Sequence, residues 1–253
     1  ISIQHELTTA RKIQEAILPK VFSRLPANHN FDVVASMDAA KEVGGDFYDF
    51  FMIDSDRMGF VIGDVSGKGV PAAIYMAICR TLIRATGVKG MSAGDCMRAV
   101  NNLLCIESES SMFVTVFYGI LNAVKGEVEY VNAGHNLPYL LSPSGIDKVG
   151  KSDNPALGVF EYISFRSGKI RMKPGEKLYL YTDGITEALN DEEMVYGKER
   201  LERFLFHHLN SAIETIIKES FRDVSVFVNG ASQSDDITLL VIEYNGQDGH
   251  LPG

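Results

Sequence analysis

The sequence predicts an α+β fold in which antiparallel sheets carry helices on their outer faces, within one domain. Three observations lead there. The strand-like runs mostly follow one another across short turns, and short connections permit only antiparallel pairing, because parallel neighbours need long crossovers. Helices between strands are too few for a doubly wound sheet. At 253 residues, 45% hydrophobic and 23% charged, the chain has ordinary globular composition and enough length for one large domain or two small ones.

The elements read in order as follows. Leu7 to Leu18 has helical periodicity with a narrow apolar stripe of Ala10, Ile13 and Ile17, and Pro19 ends it. Phe31 to Met37 is strand-like, and Phe47 to Ile53 with Arg57 to Ile62 form a hairpin in which Asp54 and Asp56 are turn residues. A long helix starts near Pro71, which suits a first helical turn, and runs through Ala85; a second spans Ser92 to Ile106 with Ser92 as N-cap. Strands follow at Met112 to Asn122, Glu127 to Asn132, Leu137 to Leu141, Ile163 to Met172 and Lys177 to Tyr181. Helices at Lys198 to Leu209 and Ala212 to Phe221 precede a last strand, Ile237 to Tyr244. Residues 246–253 are expected to be a disordered tail.

The formal net charge of -9 argues against a nucleic-acid partner, which would require a basic face. No apolar run is long enough to span a bilayer, and no signal-peptide pattern opens the chain. Cys79, Cys96 and Cys105 have no metal-finger spacing and cannot all pair, so a reducing, cytoplasmic setting is expected for the domain. A membrane anchor elsewhere in a longer protein stays open, since the chain starts at Ile1 and reads as a piece of one.

The chemistry lies in aspartates repeated at the ends of apolar strands. They stand in Gly44-Gly45-Asp46-Phe47-Tyr48-Asp49, Gly63-Asp64-Val65-Ser66-Gly67-Lys68-Gly69, Leu180-Tyr181-Thr182-Asp183-Gly184 and Ser234-Asp235-Asp236-Ile237-Thr238. One such aspartate is usually a turn residue. Four with the same grammar would repel one another unless cations or protons lie between them, and oxygen-rich clusters suit Mg²⁺ or Mn²⁺. Other schemes fail on spacing. Cys79 and Arg84 do not make a phosphate-cradling cysteine loop, Ser66 to Gly69 lacks the phosphate-loop pattern, and no Gly-x-Ser-x-Gly surrounds Ser66. His5, His29, His207, His208 and His250 fit no ligand spacing.

With Asn132-Ala133-Gly134-His135-Asn136 added, these motifs in this order resemble the bacterial metal-dependent protein serine/threonine phosphatases of the RsbU/SpoIIE branch, relatives of protein phosphatase 2C. The resemblance covers Thr8 to Glu243. It implies an α-β-β-α sandwich of two antiparallel sheets flanked by helices, with two Mn²⁺ or Mg²⁺ ions between the sheet edges. It implies that Asp64 bridges both ions with the Val65 carbonyl on one, that Asp183 and Asp235 serve the other, and that Asp46 lies at the periphery. Asp235 rather than Asp236 matches the direct ligand, which leaves Asp236 beside it. Lys41 matches in spacing a phosphate-gripping arginine of the eukaryotic branch, and Ser66 stands where that branch carries its acid histidine. The roles of His135 and Asp49 stay open, with turn fixing read for the first and capping or turn support for the second.

The same resemblance divides the chain into a linking helix (1–20) from an absent upstream region, a phosphatase domain (21–245) and the tail. It implies hydrolysis of phosphoserine or phosphothreonine on an anti-sigma-factor antagonist by a metal-activated water, without a phosphoenzyme. An upstream sensor or receiver domain, or a homodimer through the first helix, would gate it through the helix after Gly69. A catalytically silent binding module and a two-metal hydrolase of small phosphoesters are the competing functions.

Overall fold

A computed structural model describes residues 3–19, 30–106, 112–151 and 153–246. Of the tail expected over residues 246–253, Gly246 is placed and buried, and the rest lies outside the described residues.

Two five-stranded antiparallel sheets face each other. One has the order β1 (Phe31–Asp38), β10 (Ile237–Tyr244), β9 (Lys177–Tyr181), β6 (Tyr139–Ser142), β7 (Gly145–Lys148). The other runs β2 (Phe47–Met52), β3 (Arg57–Val65), β4 (Val114–Asn122), β5 (Glu127–Ala133), β8 (Gly168–Arg171). Helices α2 (Val70–Gly87) and α3 (Ala93–Ile106) pack on the second sheet. Helices α5 (Lys198–His207) and α6 (Ile213–Val228) cover the first. Burial follows the layers. Phe47, Phe60, Ile62, Phe117, Leu178 and Leu240 belong to the main core, while Tyr179, Leu239, Leu205 and Ile216 fill the layer under α5 and α6. The α-β-β-α sandwich is thus the observed architecture.

The departures from the sequence reading are local. Ile163 to Met172 shortens to β8 because Asn154 holds the preceding loop: its amide donates to the carbonyls of Asn132 (3.0 Å) and Arg166 (3.1 Å), and its Oδ1 accepts from Arg166 N (2.7 Å). The β6–β7 hairpin carries little sequence signal, since Gly145 to Lys148 has no apolar alternation. Helix α6 passes Phe221 and ends at Asn229, whose left-handed φ of 52° stops it. A one-turn helix, α4 (Asp183–Thr186), opens at a candidate ligand. Ser92 does cap α3, accepting from Asp95 N at 3.2 Å, and Asp54 turns its hairpin by accepting from the backbone of Asp56 and Arg57.

Helix α1 (Ile3–Ile17) packs Ile17 of the expected stripe against the main core and leaves Ile13 61% exposed, and the residue that it buries is Gln14. Its side-chain Nε2 donates to Gly44 O (2.6 Å) and its Oε1 accepts from Gly44 N (3.0 Å).

Asp49 is neither a cap nor a turn residue. It is fully buried on β2 and receives Arg84 through both oxygens and Arg80 at 3.2 Å, which pins α2 to the sheet. Arg84 also donates to Phe50 O (3.1 Å) and lies over the Phe51 ring. Removing the carboxylate strands two half-buried cations, so Asp49→Ala is expected to cost about 3–5 kcal/mol in urea unfolding. A loss under about 1 kcal/mol would show that the arginines find water instead.

Candidate metal centre

The topology gathers the motif aspartates at one edge of the sandwich. Asp46 enters β2, Asp64 ends β3 next to it in register, Asp183 follows β9, and Asp235 and Asp236 lead into β10. Strand β10 touches both β2 and β3 across the two layers.

Asp46 joins those layers. It is buried, and its Oδ2 accepts from Thr182 Oγ1 and Thr238 Oγ1, each at 2.7 Å, both from the opposite sheet. Burial first, and then the charge of Asp64, push its pKa well up, while the two hydroxyls oppose this. Asp64 is raised to about 7, by burial foremost and then by repulsion from Asp183 and Asp235. Asp183 is raised by burial, Glu187 and Asp235. The carboxylates therefore feel one another as a single negative cluster.

Asp235 and Asp236 divide their tasks. Asp235 is the outer one, paired with Lys68 Nζ at 2.9 Å, and Lys68 also donates to Ser234 O at 2.8 Å. This pairing, foremost among its causes, raises the Lys68 pKa. Asp236 is buried and accepts from Ala40 N and Gly45 N, both at 2.8 Å, so it builds the loop that carries Asp46. The fit there is close. A Cβ on Gly44 would lie 2.1 Å from Asp236 Oδ2, and one on Gly184 would lie 1.9 Å from the Asp236 carbonyl.

The remaining candidates surround this centre. The Val65 carbonyl stands 3.0 Å from where a Cβ on Gly45 would be, so the two strand ends approach closely. Lys41 is exposed, one residue from Ala40. Ser66 Oγ accepts from Phe113 N at 3.0 Å and so holds the loop. His135 is buried, with Nδ1 3.0 Å from Thr115 Oγ1, a hydroxyl that also reaches Asp64 O at 3.4 Å. Burial lowers its pKa to about 4 against the Tyr181 carbonyl, so it is neutral at pH 7. The turn is fixed by Asn132, which accepts from His135 N (2.8 Å) and donates to His135 O (3.0 Å). Asp49 lies with α2, outside the cluster.

The donor set is chemically right for hard divalent cations: several carboxylates and a carbonyl, with carboxyl pKa values raised by burial and then by mutual repulsion. As placed, no three histidine, cysteine or acidic groups among the described residues stand close enough to share one ion. Some side-chain rotation would accompany binding. Thr182, Thr238, Gln14 and Lys68 escaped the sequence reading. The two threonines and Lys68 sit inside the aspartate motifs and are legible there as neighbours, whereas Gln14 carries no local signal.

The sequence matches the family described as Stage II sporulation protein E (SpoIIE) over residues 54–245. It is 31% identical over 269 residues to Protein IcfG of Synechocystis sp. (strain ATCC 27184 / PCC 6803 / Kazusa), with 95% of this chain but 42% of that protein covered. It is 24% identical to Phosphoserine phosphatase RsbU of Bacillus subtilis (strain 168), over 95% of this chain and 70% of that one. Among solved structures, the SiaA-PP2C domain of Pseudomonas aeruginosa superposes with a TM-score of 0.83 at 20% identity, covering 96% of this chain and 97% of that one.

Proposed function

Because the chain belongs to the SpoIIE family, within the RsbU/SpoIIE branch of PP2C-type serine phosphatases, we propose that it hydrolyses phosphoserine or phosphothreonine on a regulatory protein. The observation that carries the reading is the carboxylate cluster drawn from four strand ends and tied across the layers by Asp46. Two Mn²⁺ or Mg²⁺ ions bound there would lower the pKa of water and offset charge on the phosphoryl oxygens.

Asp64 with the Val65 carbonyl, Asp183 and Asp235 are the groups to hold them, with Asp46 at the periphery oriented by its threonines. Asp236 supports the loop through Gly45 and Ala40, and is the alternative ligand after rotation. Lys41 and Lys68 bring point charges for phosphate, without the bidentate grip of arginine. His135, neutral at pH 7, positions Thr115 and is no imidazolium acid. No side chain need form a phosphoenzyme.

Specificity then comes from docking outside the centre, since the centre itself recognises phosphate alone. Phosphoserine on a folded protein is expected to be cleaved at least about tenfold faster than phosphotyrosine at equal concentration, measured as phosphate release in Mn²⁺. A phosphotyrosine preference would move the enzyme to another class. The family points to a phosphorylated anti-sigma-factor antagonist as the substrate, in cytoplasmic partner switching of the kind used in stress responses.

Helix α1 is the natural link to an upstream sensor or receiver domain, or to a second copy in a homodimer. Gln14 grips the backbone of Gly44, two residues from Asp46, a more direct route to the centre than α2 and the Asp64 loop. Gln14→Ala, Ile13→Asp and deletion of α1 should each be compared with the parent chain for Mn²⁺ affinity by calorimetry and for turnover. Weaker affinity is expected for Gln14→Ala and the deletion. Unchanged values in all three would leave α1 a passive linker.

A further inference from the structure

Beside the carboxylates lies a cavity of about 460 Å³ that the chemistry above does not use. Part of its lining is apolar, with Phe221, Val224 and Val228 from α6 and Ile237 of β10, and Asp38 and Arg222 add one charge of each sign. Two further wall residues, Gly184 and Ser234, are the chain neighbours of Asp183 and Asp235. The cavity thus begins one residue from two candidate ligands, and consecutive Cα atoms are about 3.8 Å apart.

Its walls are already set. Gln233 Nε2 donates to Asp38 O (3.0 Å) and Asp235 O (2.8 Å), which fastens the segment before β10 to β1. The end of α6 is closed by Asn229 N to Ser225 O (3.2 Å) and Ala231 N to Val228 O (3.1 Å), with Asn229 and Gly230 at positive φ. A preformed wall spares an incoming group the cost of ordering it.

Resting on the phosphoserine reading, we propose that this cavity receives an apolar side chain of the protein substrate, within about three residues of the phosphorylated one. The lining selects the same occupant. An aliphatic or aromatic side chain loses water against Phe221, Val224, Val228 and Ile237, whereas a carboxylate set among them would give up its hydration. The cavity is therefore a specificity pocket. It reads sequence beside a centre that reads only phosphate.

The test uses phosphoserine peptides that carry Leu, Gly or Asp at each of the three positions on either side, against the chain in Mn²⁺. At one or more positions Leu should raise kcat/KM over Asp roughly tenfold or more, with Gly between. Ser225→Trp, an exposed α6 residue on the wall, fills the cavity and should erase the Leu preference. Ser232→Trp, on the loop after α6, does the same without touching a helix. Hydrolysis of a small aryl phosphate, too short to reach the cavity, should stay within about twofold in both variants and reports that the centre is intact. Equal kcat/KM for Leu and Asp at every position, or a Leu preference that survives both tryptophans, overturns the pocket while aryl phosphate turnover keeps the phosphatase reading. Failure of the wild-type chain to hydrolyse either kind of ester overturns that reading, and the pocket with it.

Discussion

Asp64→Asn is expected to lower phosphatase turnover at least ~10³-fold in Mn²⁺, about 4 kcal/mol of transition-state stabilisation, and chelation of the wild-type chain to do the same. The residue ends β3 amid the other carboxylates, so losing its charge removes the one ligand expected to face both ions. A second readout is independent of activity. In the metal-free chain burial, then Asp183 and Asp235, hold the Asp64 pKa at about 7. The folded state therefore binds this proton more tightly than the unfolded state does. Below about pH 4 both states are protonated and nothing is lost. Between about pH 4 and 7 the unfolded chain ionises while the folded one keeps its proton, so stability falls as pH rises, and the full penalty stands above 7. Asp46 and Asp183 are raised as well and add to the same slope. Melting temperatures in chelator should thus decline across this window, more gently in Asp64→Asn. Mn²⁺ should reverse the trend, because ions bind the deprotonated form. A variant that keeps a tenth of its turnover, or a chelated wild type with full turnover, would sink the two-ion reading.

Gly184→Ala is expected to destabilise the fold by roughly 3 kcal/mol or more. Its Cβ would lie 1.9 Å from the Asp236 carbonyl oxygen and 2.9 Å from the carbonyl carbon. Both sides of the clash are backbone, one in α4 and the other entering β10, so no side chain can swing away. Gly44→Ala is the instructive contrast. Its Cβ would meet the Asp236 carboxylate at 2.1 Å, and that group can rotate, at the expense of its bonds to Ala40 and Gly45. Gly44→Ala should therefore lose metal affinity more than stability. Urea denaturation and metal titration of both variants separate the two effects. A Gly184→Ala chain within about 1 kcal/mol of wild type would mean that α4 shifts freely.

The antiparallel pairing of successive strands and the motif aspartates were legible because both are local. Gly-Asp pairs after apolar runs mark strand ends, and short turns dictate antiparallel neighbours. What stayed hidden joins residues distant in sequence. Asp46 meets Thr238, Gln14 meets Gly44, and Asp49 meets Arg80 and Arg84, none of which periodicity can foretell. Asp49 misled because alternation places it on the face away from Asp46, and the residues supplying its partners belong to another element's pattern. Ile163 to Met172 misled in the opposite sense: its composition favours a strand, but Asn154 claims its backbone for a loop.

The position of β10 has a consequence for how the protein is made. It lies between β1 and β9, and it delivers Asp235, Asp236 and Thr238 to a centre whose other members, Asp46, Asp64, Thr182 and Asp183, come earlier in the chain. During synthesis β1 and β9 leave the ribosome without the strand that separates them, and Asp46 lacks one of its two hydroxyl donors. Long-range pairing of this kind closes late, once the loop entropy has been met. A nascent chain that still lacks β10 thus holds every strand of the second sheet but only part of the carboxylate cluster.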